Sequence, residues 1–103
     1  MIKLVENKKE ELQQICKHHQ VSKLYLFGSA AKGNFDPVKS DLDMVVEFSS
    51  SVAPVDYALN YFSFLEALED LFNKKVELIS FKALKNAVMI QEIEKSKIQL
   101  YAA

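Results

Sequence analysis

The chain has 103 residues, half of them apolar and 26% charged, a balance that fits one globular domain spanning 1–103 and excludes a disordered chain. Thirteen cations, all of them lysine, against fourteen acids leave a net charge of −1, which argues against extended nucleic-acid binding. Cys16 is alone, so an internal disulfide and a cysteine-based metal cluster are both excluded. The N-terminus has no sustained apolar core, and no apolar run approaches the ~20 residues of a membrane span, so the expectation is a cytoplasmic protein with no membrane contact.

Residues 6–19 predict a helix, with Leu12, Ile15, Cys16 and His19 on one stripe. Residues 22–27 (Ser-Lys-Leu-Tyr-Leu-Phe) predict a strand stopped by Gly28, and residues 29–32 predict a short helix. Residues 41–48 alternate, with Leu42, Met44, Val46 and Phe48 on one face and Asp41, Asp43, Val45 and Glu47 on the other, the period of a strand. A Ser-rich turn at 49–53 leads to Pro54, which suits the first turn of a helix running to about 72. Tyr57, Tyr61, Phe64, Leu65, Leu68, Leu71 and Phe72 form its apolar stripe. Residues 75–80 predict a third strand and 82–95 a last helix, with Leu84, Ala87, Val88 and Gln91 on one side. The tail Ile98–Tyr101 would add a short edge strand or dock on the core. The order predicts an α/β (α+β) domain with a small mixed sheet flanked by helices.

Three features carry chemistry. The chain has two glycines, Gly28 and Gly33, and both flank Gly-Ser-Ala-Ala-Lys-Gly directly after a strand. Such a turn lets backbone approach a ligand closely and offers free amides and the Ser29 hydroxyl to a phosphate. An ordinary strand–turn–helix connection would look the same. With no arginine fork available, Lys32 is the segment's one cation. The second feature is Ser40-Asp41-Leu42-Asp43: on a strand, Asp41 and Asp43 present two carboxylates to one side, which repel unless a cation sits between them. Mg²⁺ is the natural occupant, and a solvent-facing acidic strand is the bland alternative. The third is Glu77, a carboxylate at the centre of an apolar strand, costly to bury unpaired and able to face the same site if that strand lies beside 41–48; the alternative is an exposed edge-strand acid.

Taken together, from Leu-Tyr-Leu-Phe-Gly-Ser-Ala-Ala-Lys-Gly through Ser-Asp-Leu-Asp-Met-Val-Val-Glu-Phe, the chain resembles the DNA polymerase beta nucleotidyltransferase superfamily, and most of all its minimal nucleotidyltransferase (MNT) domains. The resemblance implies that Gly28 and Ser29 hold the β and γ phosphates of ATP or another NTP, with Lys32 and Gly33 completing the segment. It implies that Asp41 and Asp43 bind two Mg²⁺ ions, with Asp43 bridging them, and that Glu77 takes the third-acid position as metal ligand and proton acceptor. It also implies a HEPN-type helical partner in a toxin–antitoxin pair, with AMP transferred to a hydroxyl of that partner. Two positions depart from the family pattern: Ala30 stands where a basic residue is common, and Glu77 where Asp is usual. These departures keep a second reading open, a degenerate fold that neutralises or scaffolds its partner by contact. Transfer to a small molecule is a weaker third, since the extra helical domain of the aminoglycoside-modifying relatives is missing.

His18 and His19 are adjacent at a helix end and point apart, so both are read as structural, either helix-dipole partners or surface. Tyr57, Tyr61, Phe62 and Phe64 cover more than one face of their helix, so part of that helix is expected to form a partner surface, in a homo- or hetero-oligomer.

Overall fold

The computed structural model describes residues 3–33, 35, 36 and 38–103. Its helices are α1 (Lys3–Glu6), α2 (Lys9–His18), α3 (Gly28–Lys32), α4 (Tyr57–Phe72) and α5 (Ala87–Ser96), and its strands are β1 (Val21–Phe27), β2 (Leu42–Phe48), β3 (Val76–Ser80) and β4 (Ile98–Ala102). Single 3₁₀ turns precede α4 (Pro54–Asp56) and follow β3 (Phe81–Ala83). The strands form one mixed sheet in the order β3-β2-β1-β4. β1 is antiparallel to both β2 and β4, while β2 and β3 are parallel, joined by the crossover through α4. The small mixed sheet flanked by helices is the architecture that the residue pattern predicts.

One face of the sheet carries the core. Leu42, Met44, Val46 and Phe48 of β2 are buried as their alternation requires, together with Leu24 and Leu26 of β1 and Val76 and Leu78 of β3. Leu12 and Cys16 of α2 and Phe64, Leu68 and Phe72 of α4 close over them. Burial pushes the Cys16 thiol up to about 12. On the opposite face Val45 is buried too, and so is Ile93 of α5.

Four features differ from the sequence pattern. The helix expected over 6–19 is α2, which begins only at Lys9, with the one-turn α1 ahead of it and Asn7 and Lys8 between them. The helix expected over 82–95 begins only at Ala87, because the Asn86 side chain caps it by accepting from the amides of Val88 and Met89. Its inward side is Ile90 and Ile93 rather than the expected Ala87, Val88 and Gln91, and Val88 is 69% exposed. The third difference is at Asp41, which lies just before β2 and not within it. The fourth is His19: it is no surface residue but is buried, its Nδ1 donating to the Ile15 carbonyl (2.8 Å) and its Nε2 accepting from Ser63 Oγ (3.0 Å). The Asn60 amide donates to the His19 carbonyl (2.8 Å), so residue 19 ties α2 to α4 through side chain and backbone.

Phe64 is wholly buried between α2 and the sheet, 5.4 Å from the His19 ring and 5.8 Å from the Phe48 ring. Phe64→Ala is expected to destabilise the protein by about 3–5 kcal/mol. Urea unfolding measures it, and a loss near that of an exposed position such as Leu59 would contradict this placement of the core.

Candidate active site

The chain leaves β1 at Phe27 and turns at Gly28, whose φ is +69°. Glycine is needed there for two reasons: the dihedral, and the space. A Cβ at 28 would overlap Oδ2 of Asp43 and stand 3.3 Å from its Cγ. The backbone of the turn therefore lies directly against the Asp43 carboxylate. α3 begins there, so the backbone amides of its first turn, with Ser29 among its residues, lie at the end of β1. Ala30 is only 3% exposed and sits in the core, so a long basic side chain has no room at this position. Lys32 is half exposed, and its Nζ lies 3.8 Å from a carboxylate oxygen of Glu92 on α5. Gly33 ends α3 in the left-handed region, φ +83°, with open space where a Cβ would stand. It lines a cavity of about 430 Å³ with Lys3, Leu4, Phe35, Phe72, Asn73 and Lys74.

The sheet registers assemble the acids. Asp43 pairs with Phe27 of β1 on one side and with Glu77 of β3 on the other, so these three residues stand abreast on the face opposite the core. Partial burial pushes the Asp43 carboxyl up to about 6, reinforced by a side-chain hydrogen bond to Glu77, by the Glu77 charge and by the Asp41 charge. Glu77 stands beside Asp43 on the sheet, and the charge of Asp41 reaches the same carboxyl. Gly28 and the acids come together, Ser29 adjoins them on α3, and Lys32 is paired toward α5. The residue pattern did not single out Phe27, whose half-buried ring position beside Asp43 follows from the antiparallel register. Nor did it identify what orients Asp41, which the strand does not include.

Hard oxygen donors, mutually repelling and acceptor-only when ionised, suit a divalent cation such as Mg²⁺. Among the described residues no group of three or more His, Cys, Asp or Glu side chains is placed to hold a metal ion. Mg²⁺ asks for no such group: it is commonly held by one or two carboxylates, its remaining positions filled by water and substrate phosphates. The residues present fit an ion of that kind.

A phosphate-sized turn abutting a carboxylate row on a small mixed sheet defines a nucleotidyltransferase. The chain belongs to the polymerase beta nucleotidyltransferase family, whose model matches residues 10–103. It is similar to MJ1379 of Methanocaldococcus jannaschii, named as a candidate protein adenylyltransferase, with 31% identity over 96 residues that cover 85% of this chain and 93% of that protein. The fold matches a solved structure described as a candidate minimal nucleotidyltransferase, with a TM-score of 0.75 and 24% identity, covering 94% of this chain and 95% of the other. It also matches a structure of a tri-AMPylated Shewanella oneidensis HEPN toxin in complex with MNT antitoxin, with a TM-score of 0.64 and 15% identity over 95% of this chain and 72% of that one. Among the described residues no helix is long and apolar enough to cross a membrane.

The raised Asp43 carboxyl has a thermodynamic signature. Its folded-state value, about 6, lies above its ordinary value of 3.8, so between these pH values the folded protein holds a proton that the unfolded chain has lost. Its contribution to stability therefore falls as pH rises from about 4 to 6 and stays unfavourable above. In EDTA, Asp43→Asn should raise the urea midpoint more at pH 7.5 than at pH 4. An equal gain at both pH values would show that Asp43 is not held in this environment.

Proposed function

We propose that this chain is an Mg²⁺-dependent adenylyltransferase that moves AMP from ATP to a hydroxyl of a HEPN-type helical partner protein, as the antitoxin of a toxin–antitoxin pair. The observation that carries the proposal is the Asp43 carboxyl, packed against the Gly28 turn on one side and abreast of Glu77 on the neighbouring strand on the other, with the Asp41 charge alongside. Such a site is unfavourable while empty of positive charge and becomes favourable once a dication and a polyphosphate arrive together.

In this reading the backbone at Gly28 and Ser29 and the Ser29 hydroxyl hold the β and γ phosphates, with Lys32 and Gly33 at the far end of the same segment. Asp41, Asp43 and Glu77 are the residues that would hold the Mg²⁺ ions. Bound there, such ions would supply positive charge against the phosphates and the attacking and leaving oxygens of the in-line displacement. Glu77, the more exposed of the paired acids, accepts the proton of the incoming hydroxyl at its carboxylate while Asp43 stays fixed against the turn. The α-phosphorus–oxygen bond to pyrophosphate breaks as the bond to the acceptor oxygen forms. The partner assignment draws on the toxin–antitoxin neighbour and on the exposed apolar residues of α4, Leu59 (75%) and Phe62 (62%), which suit a protein surface. A cytoplasmic location fits this pairing.

The test uses labelled ATP, Mg²⁺ and the co-encoded partner. Wild type is expected to transfer label. Asp43→Asn should lower the rate by at least ~100-fold, since a small misplacement of the reacting groups already costs that much. Glu77→Ala should slow transfer while leaving nucleotide binding mostly intact. Label transfer unchanged by Asp43→Asn would sink the enzymatic assignment. A partner neutralised equally well by Asp43→Asn, with no transfer by either protein, would establish inhibition by contact instead.

A further inference from the structure

The two aspartates of the site are held by different devices. Asp43 is inside β2 and bonded into the sheet, but Asp41 lies outside the strand. The backbone on its C-terminal side is fixed by the Leu42 amide, which donates to the Lys75 carbonyl at 3.1 Å. On its N-terminal side stands a closed loop between Asp36 and Ser40. The Ser40 amide donates to the Asp36 carbonyl (2.9 Å), and the Asp36 amide donates back to Ser40 Oγ (3.0 Å). Inside the loop, Asp36 Oδ1 accepts from the amides of Val38 (2.8 Å) and Lys39 (3.2 Å). Four hydrogen bonds therefore converge on two residues, and the loop they close ends one residue before Asp41.

From this arrangement we infer that Asp36 and Ser40 are positioning residues for Asp41, forming a clamp that supplies the rigidity the strand does not extend to it. The inference rests on the reading of Asp41 as a metal ligand. Neither residue touches substrate in this scheme; both act through the direction of the Asp41 carboxylate. Reciprocity is the reason two residues suffice. Asp36 uses one side-chain oxygen and both its backbone groups, Ser40 its hydroxyl and its amide, so loss of the Asp36 oxygen leaves the Val38 and Lys39 amides unpaired, loss of the Ser40 hydroxyl leaves the Asp36 amide unpaired, and either loosens the loop. What Asp36 contributes is an acceptor oxygen rather than a charge, and Asn supplies the same oxygen at the same place.

The experiment compares Ser40→Ala, Asp36→Ala and Asp36→Asn in the full chain by two readouts: the ¹⁵N order parameter of the Asp41 amide, and Mn²⁺ affinity from water-proton relaxation. Both Ala variants should drop the Asp41 order parameter into the flexible range, below about 0.6. They should also weaken Mn²⁺ binding roughly tenfold, an expected effect of losing an outer partner of a ligating carboxylate. The Asp43 amide and the urea midpoint should stay near wild type. Asp36→Asn should match wild type in both readouts. An unchanged Asp41 order parameter in the two Ala variants overturns the clamp, and so does an Asp36→Asn protein as impaired as Asp36→Ala. If wild type binds no Mn²⁺ at all, the metal-ligand reading of Asp41 fails, and the order parameters still decide the clamp.

Discussion

Parallel pairing of β2 with β3 forces Glu77 to stand beside Asp43, two like charges at adjacent positions on neighbouring strands. Left to themselves such groups would push the strands apart or shift their register. The other face of the same strands prevents it. Leu42, Met44 and Val46 of β2 and Val76 and Leu78 of β3 are buried against α2 and α4, and a one-residue slip would turn this entire set outward. The core thus holds the acids together against their own repulsion, and burial first, with the Glu77 and Asp41 charges adding to it, raises the Asp43 carboxyl to about 6. α4 matters to the site for the same reason: it is the crossover that makes β2 and β3 parallel, and its Phe64, Leu68 and Phe72 clamp the back of the sheet.

The second constraint is the absence of a side chain at residue 28. Because Gly28 has no Cβ, the turn after β1 can lie against the Asp43 carboxylate. The turn backbone and the acid then share one wall of the site, although fifteen residues separate them in sequence. The same packing explains the substitution at the next position but one. Ala30 points into the core, and the family's basic side chain would have to be accommodated there at the cost of burying a charge. The positive charge that this chain does carry on α3 is Lys32, on the outer side, balanced by Glu92.

Much of this was legible in the residues alone. A period of two over 41–48 placed the buried and polar faces of β2, and two glycines in the whole chain, both flanking one short segment, marked the turn. The relation of Glu77 to Asp43 was legible only as a condition, because strand order is a long-range property that periodicity does not encode. Asp41 shows the limit from the other side. Alternation alone extended the strand across it, whereas hydrogen bonds from Asp36, Ser40 and Lys75 decide where the ladder begins. The inward side of α5 was misassigned for a similar reason: the Asn86 cap starts the helix later than its apolar pattern suggests, and Ile93 becomes its buried residue. His19 fitted the α2 stripe by spacing, but its bond to Ser63, forty-four positions away, could not be read from neighbours in sequence.

Cys16 offers a practical consequence. Its thiol is fully buried and titrates only near 12, so at neutral pH almost none of it is the reactive thiolate that alkylating reagents require. Burial and the raised thiol disfavour reaction of Cys16 with maleimides, so a fluorophore or spin label can be placed by adding one cysteine without first removing the native one. Val38, 87% exposed within the loop before Asp41, is a natural attachment point. A label there would report in real time whether nucleotide, metal or partner reaches that end of the sheet.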